Sequence, residues 1–337
     1  MAAGSATILG CRGPTLDRAE RQFFAEAQPW GFILFARNVK TPGQLRRLTD
    51  DLRTAVGRDA VILIDQEGGR VQRMRAPHWR EWRPALDQMQ QAGPERAARS
   101  MWLRARLIAG ELRAVGIDGN CAPLADVARD ITHPVLRNRL YGGTPSVVIG
   151  AARAVAKGLL AGGVLPVLKH LPGYGLGEVD SHTALPRVTA PPEELEAVDF
   201  AAFKPLADLP MGMTAHIIYA AIEDGIPATL SPGMIRLIRR QIGFDGLLMT
   251  DDLSMGALPG PLAERAARAR AAGCDLVLHC NGDMAQMQSI VAVSGGLDGM
   301  AAVRAELALA RRRPPGPLDI DTAEADLRVL LDRQVYG

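Results

Sequence analysis

Short, almost wholly apolar runs recur along the chain at residues 6–10, 31–35, 61–65, 116–121, 164–169, 211–215, 246–250 and 275–279. They read as continuous apolar strands rather than alternating ones, which is the pattern of a parallel sheet buried on both faces. Between them lie longer amphipathic stretches, among them 41–56, 94–115, 146–161, 232–241 and 261–272. Several open on a proline or a capping residue and close near a glycine, as helices do. Eight strand–helix units in one chain of this length predict an α/β fold, a (β/α)₈ barrel of the TIM type, with a doubly wound open sheet as the alternative. No linker separates a second unit. The proline-rich ARRRPPGPLD precedes only one more helical segment, 322–335, so residues 1–337 are expected to form a single domain.

Composition narrows the function without naming it. Hydrophobic residues make up 47% of the chain, and 39 basic residues stand against 37 acidic ones, for a net charge of +2. That balance offers no electrostatic footprint for nucleic acid or for an anionic membrane. Aromatic residues are only 4%, which argues against a broad stacking platform for polysaccharide. No stretch reaches the roughly 20 apolar residues of a membrane span, and MAAGSATILG lacks the basic and apolar regions of a secretory leader. The four cysteines, Cys11, Cys121, Cys274 and Cys280, form no C-x-x-C pair, so reduced thiols in a cytoplasm are expected.

Polar residues gather where the apolar runs end: Asp65, Lys169 and His170, Thr214 and His216, and Asp251. Barrel enzymes assemble their sites from these strand ends and the loops after them. Asp251 directly ends a strand, where an ionised carboxylate can serve as nucleophile or oxocarbenium stabiliser in glycosyl transfer. Its neighbour Asp252 is expected to cap the next helix. The glycine- and proline-rich stretch KHLPGYGLGEVDSHTALP, residues 169–186, reads as a loop on the same rim. In it Asp180 and His182 have the spacing of a carboxylate that orients an imidazole for proton transfer. Lys169 and His170 suit sugar hydroxyls or an anion, and Lys169 also suits Schiff-base chemistry on a carbonyl substrate. Asp65 can clasp two hydroxyls, whereas Glu67 or Arg70 is read as bracing a sharp turn. No metal-ligand spacing and no G-x-S-x-G elbow occurs, and His78, His133 and His279 are isolated, so neither a metal site nor a serine triad is expected.

Taken together and in this order, ILIDQEGGRVQR, RNRLYGG, KHLPGYG followed by DSH, MTAHIIY and MTDDLSM resemble the bacterial β-N-acetylglucosaminidases of glycoside hydrolase family 3. The resemblance runs from GFILFARN to the helix after DDLSMGAL. It implies a barrel that works without metal or cofactor through a retaining, two-step mechanism. Asp251 would be the nucleophile and His182 the acid/base with Asp180 as its partner. Asp65, Arg73, Arg139, Lys169 and His170 would form the sugar-binding set. Arg139 is preferred to Arg137 because arginine, one residue, aromatic, glycine is the family's pattern. The implied substrate is a small saccharide or muropeptide, N-acetylglucosamine β-linked to anhydro-N-acetylmuramic acid with or without its peptide, from peptidoglycan recycling. Relatives of the β-glucosidase branch usually draw a carboxylic acid/base from a second domain, for which this chain leaves no room. Two other activities fit the same residues: phosphorolysis of the glycoside and a Lys169 Schiff-base aldolase. Tyr174 departs from the pattern, since many relatives have a histidine there.

Overall fold

The computed structural model describes residues 4–179 and 184–336. Its centre is a closed barrel of eight parallel strands: β1 (Ser5–Gly10), β2 (Pro29–Leu34), β3 (Val61–Ile64), β4 (Gly119–Asn120), β5 (Leu165–Leu171), β6 (Met211–Thr214), β7 (Leu247–Asp252) and β8 (Leu276–His279). Each strand pairs with its neighbour in sequence, and β8 pairs back onto β1, for example Thr7 with Val277 and Ile8 with Leu278. The barrel expectation holds, and the open sheet is excluded by this closure.

The apolar runs are continuous because each strand serves two cores. Ile8, Ile33, Leu63, Val167, Met213 and Leu278 point into the barrel and pack on one another. Leu9, Phe32, Ile62, Leu168, Leu248 and Val277 point outward under the helices. Successive side chains of a strand face opposite ways, so a strand covered on both faces needs apolar residues at every position. Burying each such side chain is worth about 1.5–3 kcal/mol.

Helices α1 (Arg18–Ala27), α2 (Pro42–Val56), α3 (Ala85–Ala114), α4 (Pro145–Ala161), α5 (Pro232–Leu237), α6 (Leu262–Ala272), α7 (Met284–Ser294), α8 (Gly299–Ala310) and α9 (Ile320–Leu330) surround the barrel. The ends of α2 show why it starts and stops there. Thr41 accepts the Gln44 N–H at its N-cap, Pro42 fills the first turn where a donor is dispensable, and Gly57 closes the helix at φ 64°. Three of the sequence-derived helices change substantially. The third helix begins at Ala85, not Pro94, but Gly93 (φ 71°, ψ 167°) breaks the axis and Pro94 opens a new helical segment. The stretch 232–241 is α5 followed by a single π turn, Ile238–Ile242, which Gly243 ends at φ 80°. The last helix stops at Leu330, because Asp332 and Arg333 take positive φ angles of 46° and 71° that no helix can continue.

Helix α8 closes the barrel floor. Its Ala301, Ala305 and Ala308 join the barrel-interior cluster together with Ala6, Trp30 and Val61 from the strand starts. The preceding chain is stitched to β1, where Ala6 donates to the Gly295 carbonyl at 2.9 Å. With the floor sealed by small residues, the opposite rim is the open end. All four cysteines are buried and unpaired. Among the described residues no helix is long and apolar enough to cross a membrane.

Candidate active site

The C-terminal ends of the strands surround a cleft of about 330 Å³. Asp65 follows β3, Lys169 and His170 lie just before the end of β5, and Asp251 and Asp252 end β7, while Arg73 and Arg139 reach in from the loops after β3 and β4. Six of the eight residues expected at the site, Asp65, Arg73, Arg139, Lys169, His170 and Asp251, line this one cleft. Asp180 and His182 lie outside the described residues, although Tyr174 and Val179 just before them form part of the wall.

One side of the cleft is a chain of alternating charges. Lys169 Nζ lies 3.0 Å from Asp65 Oδ1 and 2.7 Å from Glu67 Oε1. Arg73 donates to Asp65 Oδ2 at 3.1 Å, and Arg139 grips Glu67 with two parallel bonds of 2.9 and 2.8 Å. Burial pushes the Asp65 carboxyl up, but Lys169 and Arg73 outweigh it and hold Asp65 well below the carboxylate range. Burial likewise opposes Glu67, and Arg139 and Lys169 bring it down to about 2. For Lys169 burial favours the neutral amine, yet the two carboxylates win and keep its pKa above the ordinary lysine value. A Schiff-base lysine needs the free amine. Lys169 is a locked ammonium, so the aldolase alternative loses its chemical basis.

Glu67 corrects the sequence reading. Its carboxylate does not brace the turn; the backbone does that, through Arg104, which donates to the Glu67 and Arg83 carbonyls. Gly68 sits there at φ 106°, and a Cβ on it would fall 1.8 Å from Arg104 Nη2. The short hairpin of Gln66–Gly68 and Val71–Gln72 thus presents Arg70 at its exposed tip and Arg73 at its exit.

Asp251 faces the cleft from the end of β7. Burial pushes its carboxyl up, and the nearby imidazoles of His216 and His170 with the Asp252 N–H bring it below the ordinary value. Oδ1 accepts that N–H at 2.8 Å, while Oδ2 accepts no hydrogen bond among the described residues. Asp252 turns the other way and accepts from Ser254 N, Ser254 Oγ and Cys280 N at 3.0, 2.7 and 3.2 Å. It caps a turn and not a helix, because α6 begins only at Leu262. His216 donates from Nε2 to the Asp252 carbonyl at 3.0 Å, and its Nδ1 meets Thr229 Oγ1 at 2.8 Å. These bonds fix the turn on which Asp251 stands.

Sequence reasoning assigned His216 no role and overlooked Asp126. Asp126 is buried with its carboxylate 2.8 Å from His170 Nδ1. The available signal was its place in the apolar stretch CAPLADVA, where an acid is too costly to bury without a partner. Of the isolated histidines, His133 does line the cleft, where its Nδ1 accepts the Val135 N–H at 3.2 Å, and His279 is buried against Gln286. Among the described residues no group of three or more His, Cys, Asp or Glu could hold a metal ion.

Comparison with known proteins agrees with this architecture. Residues 10–309 match the family model described as the glycosyl hydrolase family 3 N terminal domain. The chain is 39% identical over 280 residues to a β-hexosaminidase of Alkalilimnicola ehrlichii, covering 81% of this chain and 80% of that one. It is 40% identical over 277 residues to a β-hexosaminidase of Methylococcus capsulatus, covering 80% of each. Among solved structures, NagZ from Neisseria gonorrhoeae superposes with a TM-score of 0.84 at 29% identity over 98% of this chain and 97% of that one, and it has also been solved with N-trifluoroacetyl-D-glucosamine. A family 3 β-N-acetylglucosaminidase from Paenibacillus gives a TM-score of 0.81 at 28% identity, covering 98% of this chain and 62% of that one. The barrel, the charged cleft at its C-terminal rim and a family match over nearly the whole chain lead to one conclusion: the chain belongs to glycosyl hydrolase family 3.

Proposed function

We propose that this glycoside hydrolase is a retaining exo-β-N-acetylglucosaminidase of the β-hexosaminidase type, acting as one domain over residues 1–337 on cytoplasmic saccharides from peptidoglycan recycling. The observation that carries the reading is the state of Asp251. It is ionised, its Oδ2 is free of hydrogen bonds among the described residues, and it stands in a cleft whose other wall is a row of fixed charges. Such an oxygen is a nucleophile ready for an anomeric carbon.

In the first step Asp251 Oδ2 bonds to the anomeric carbon while the glycosidic C–O bond breaks. The departing oxygen takes a proton from His182, which Asp180 orients. In the second step water gives that proton back to His182, its oxygen bonds to the anomeric carbon, and the bond to Asp251 breaks. Two displacements restore the original configuration. Asp65, Arg73, Arg139, Lys169 and His170 hold the non-reducing sugar, and their ion pairs keep these groups in place before substrate arrives. The hexosaminidase names of relatives sharing 39–40% identity, and the glucosamine derivative bound by the Neisseria gonorrhoeae protein, favour an N-acetylated sugar. The leaving group proposed is anhydro-N-acetylmuramic acid, with or without peptide.

The test sets an aryl β-N-acetylglucosaminide beside an aryl β-glucoside, with and without phosphate. The expected result is a strong preference for the first, with free N-acetylglucosamine as product. Equal turnover of both, or a sugar phosphate as the main product, overturns the assignment.

A further inference from the structure

Asp126 lies in the loop after β4, 1% exposed, and faces the ring of His170. Its Oδ2 is 2.8 Å from His170 Nδ1, and its Oδ1 accepts the backbone N–H groups of Tyr174 at 2.7 Å and His170 at 3.3 Å. An ionised carboxylate only accepts, so the imidazole nitrogen that meets it carries the proton. Nδ1 therefore donates to Asp126, and Nε2 is the ring atom left for the cleft that His170 lines. The two backbone bonds tie the same carboxylate to the start and end of residues 170–174, and the Tyr174 ring packs 5.8 Å from the imidazole. The ring cannot turn over without giving up a buried bond.

We propose that Asp126 is a positioning residue for the glycosidase reaction: it holds His170 as the Nδ1–H tautomer, so that Nε2 accepts a hydrogen bond from a sugar hydroxyl. This rests on the reading of the cleft as the sugar site given above. The chemistry is that of a carboxylate-backed histidine, in which the outer acid decides which nitrogen is the acceptor.

Asp126→Asn tests it while keeping the shape. The amide oxygen still accepts the two backbone N–H groups, but its NH₂ now faces Nδ1 and can only donate, which drives the ring proton to Nε2. The sugar hydroxyl then meets a donor instead of an acceptor. The expected loss in kcat/KM on an aryl β-N-acetylglucosaminide is about 10- to 100-fold. In a His170→Phe background the same change costs less than about twofold, because there is no ring left to orient. Nitrogen-15 spectra of the imidazole, at a pH where it is neutral, should show the proton on Nδ1 in the wild-type protein and on Nε2 in the variant. If the variant does not fold, the wild-type spectrum decides alone. A wild-type proton on Nε2, wild-type-like turnover by Asp126→Asn, or an equal loss in both backgrounds overturns the role of Asp126. Absence of glycoside turnover by the wild-type protein overturns the reading beneath it instead, and the spectrum still reports the tautomer.

Discussion

Replacing Lys169 by methionine removes the cation that the buried Glu67 and the half-buried Asp65 share. Asp65 and Glu67 lie 3.0 and 2.7 Å from its Nζ, and the side chains of Lys169 and Glu67 are 3% and 5% exposed. Arg73 and Arg139 remain to each acid, so neither is abandoned, but together they lose their common partner. Breaking a buried pair from one side costs about 3–5 kcal/mol, because the residual charge stays out of water. For a chain of 337 residues that loss corresponds to a fall in Tm of about 4–7 °C. The assay is thermal unfolding of both proteins from pH 7 down to pH 2. Glu67 ionises in the fold at about 2 against an ordinary 4.5. A depressed carboxylate stabilises fully above its unfolded value and loses that stabilisation as pH falls toward its folded one. The gap between wild type and Lys169→Met is therefore expected to be constant near neutrality and to narrow below about pH 4.5. On the alkaline side Lys169 is raised, so its contribution is complete up to the ordinary lysine value and is lost only above it. A loss below about 1 kcal/mol, or a gap that is the same at pH 7 and pH 3, would refute the claim that these charges form one coupled network.

Three further outcomes are expected. Asp251→Ala should abolish turnover of every glycoside while leaving Tm near the wild-type value, measured by release of an aryl leaving group; residual retaining activity rules Asp251 out as the nucleophile. His182→Ala should slow substrates with a sugar leaving group far more than activated aryl glycosides, which need little protonation. Equal losses on both would sink His182 as the general acid. Gly68→Ala places a Cβ 1.8 Å from Arg104 Nη2 and 2.9 Å from the Arg83 carbonyl at φ 106°. It should cost about 1–4 kcal/mol and raise KM by displacing the hairpin that carries Arg73. An unchanged Tm would show that the turn does not depend on that glycine.

The sequence by itself determined the eight strands, their order and the rim on which the chemistry stands. Apolar runs such as 61–65 are short, and the polar residues that end them are conspicuous against what precedes them. Asp65, Lys169, His170 and Asp251 were legible for that reason, and the motif order placed Arg73 and Arg139 beside them. Which side of each strand faces the barrel was not legible, because Ile62 and Leu63 are equally apolar and only closure of the sheet sends one outward and the other inward. The same holds for the partners. Glu67 looked like a turn residue until the fold brought Arg139 to it from 72 positions away, and Asp126 had no visible function until it met His170 from 44 positions away. A charge is visible in one dimension, but whether it is paired depends on what the chain packs against it. In a barrel those partners arrive from different strands.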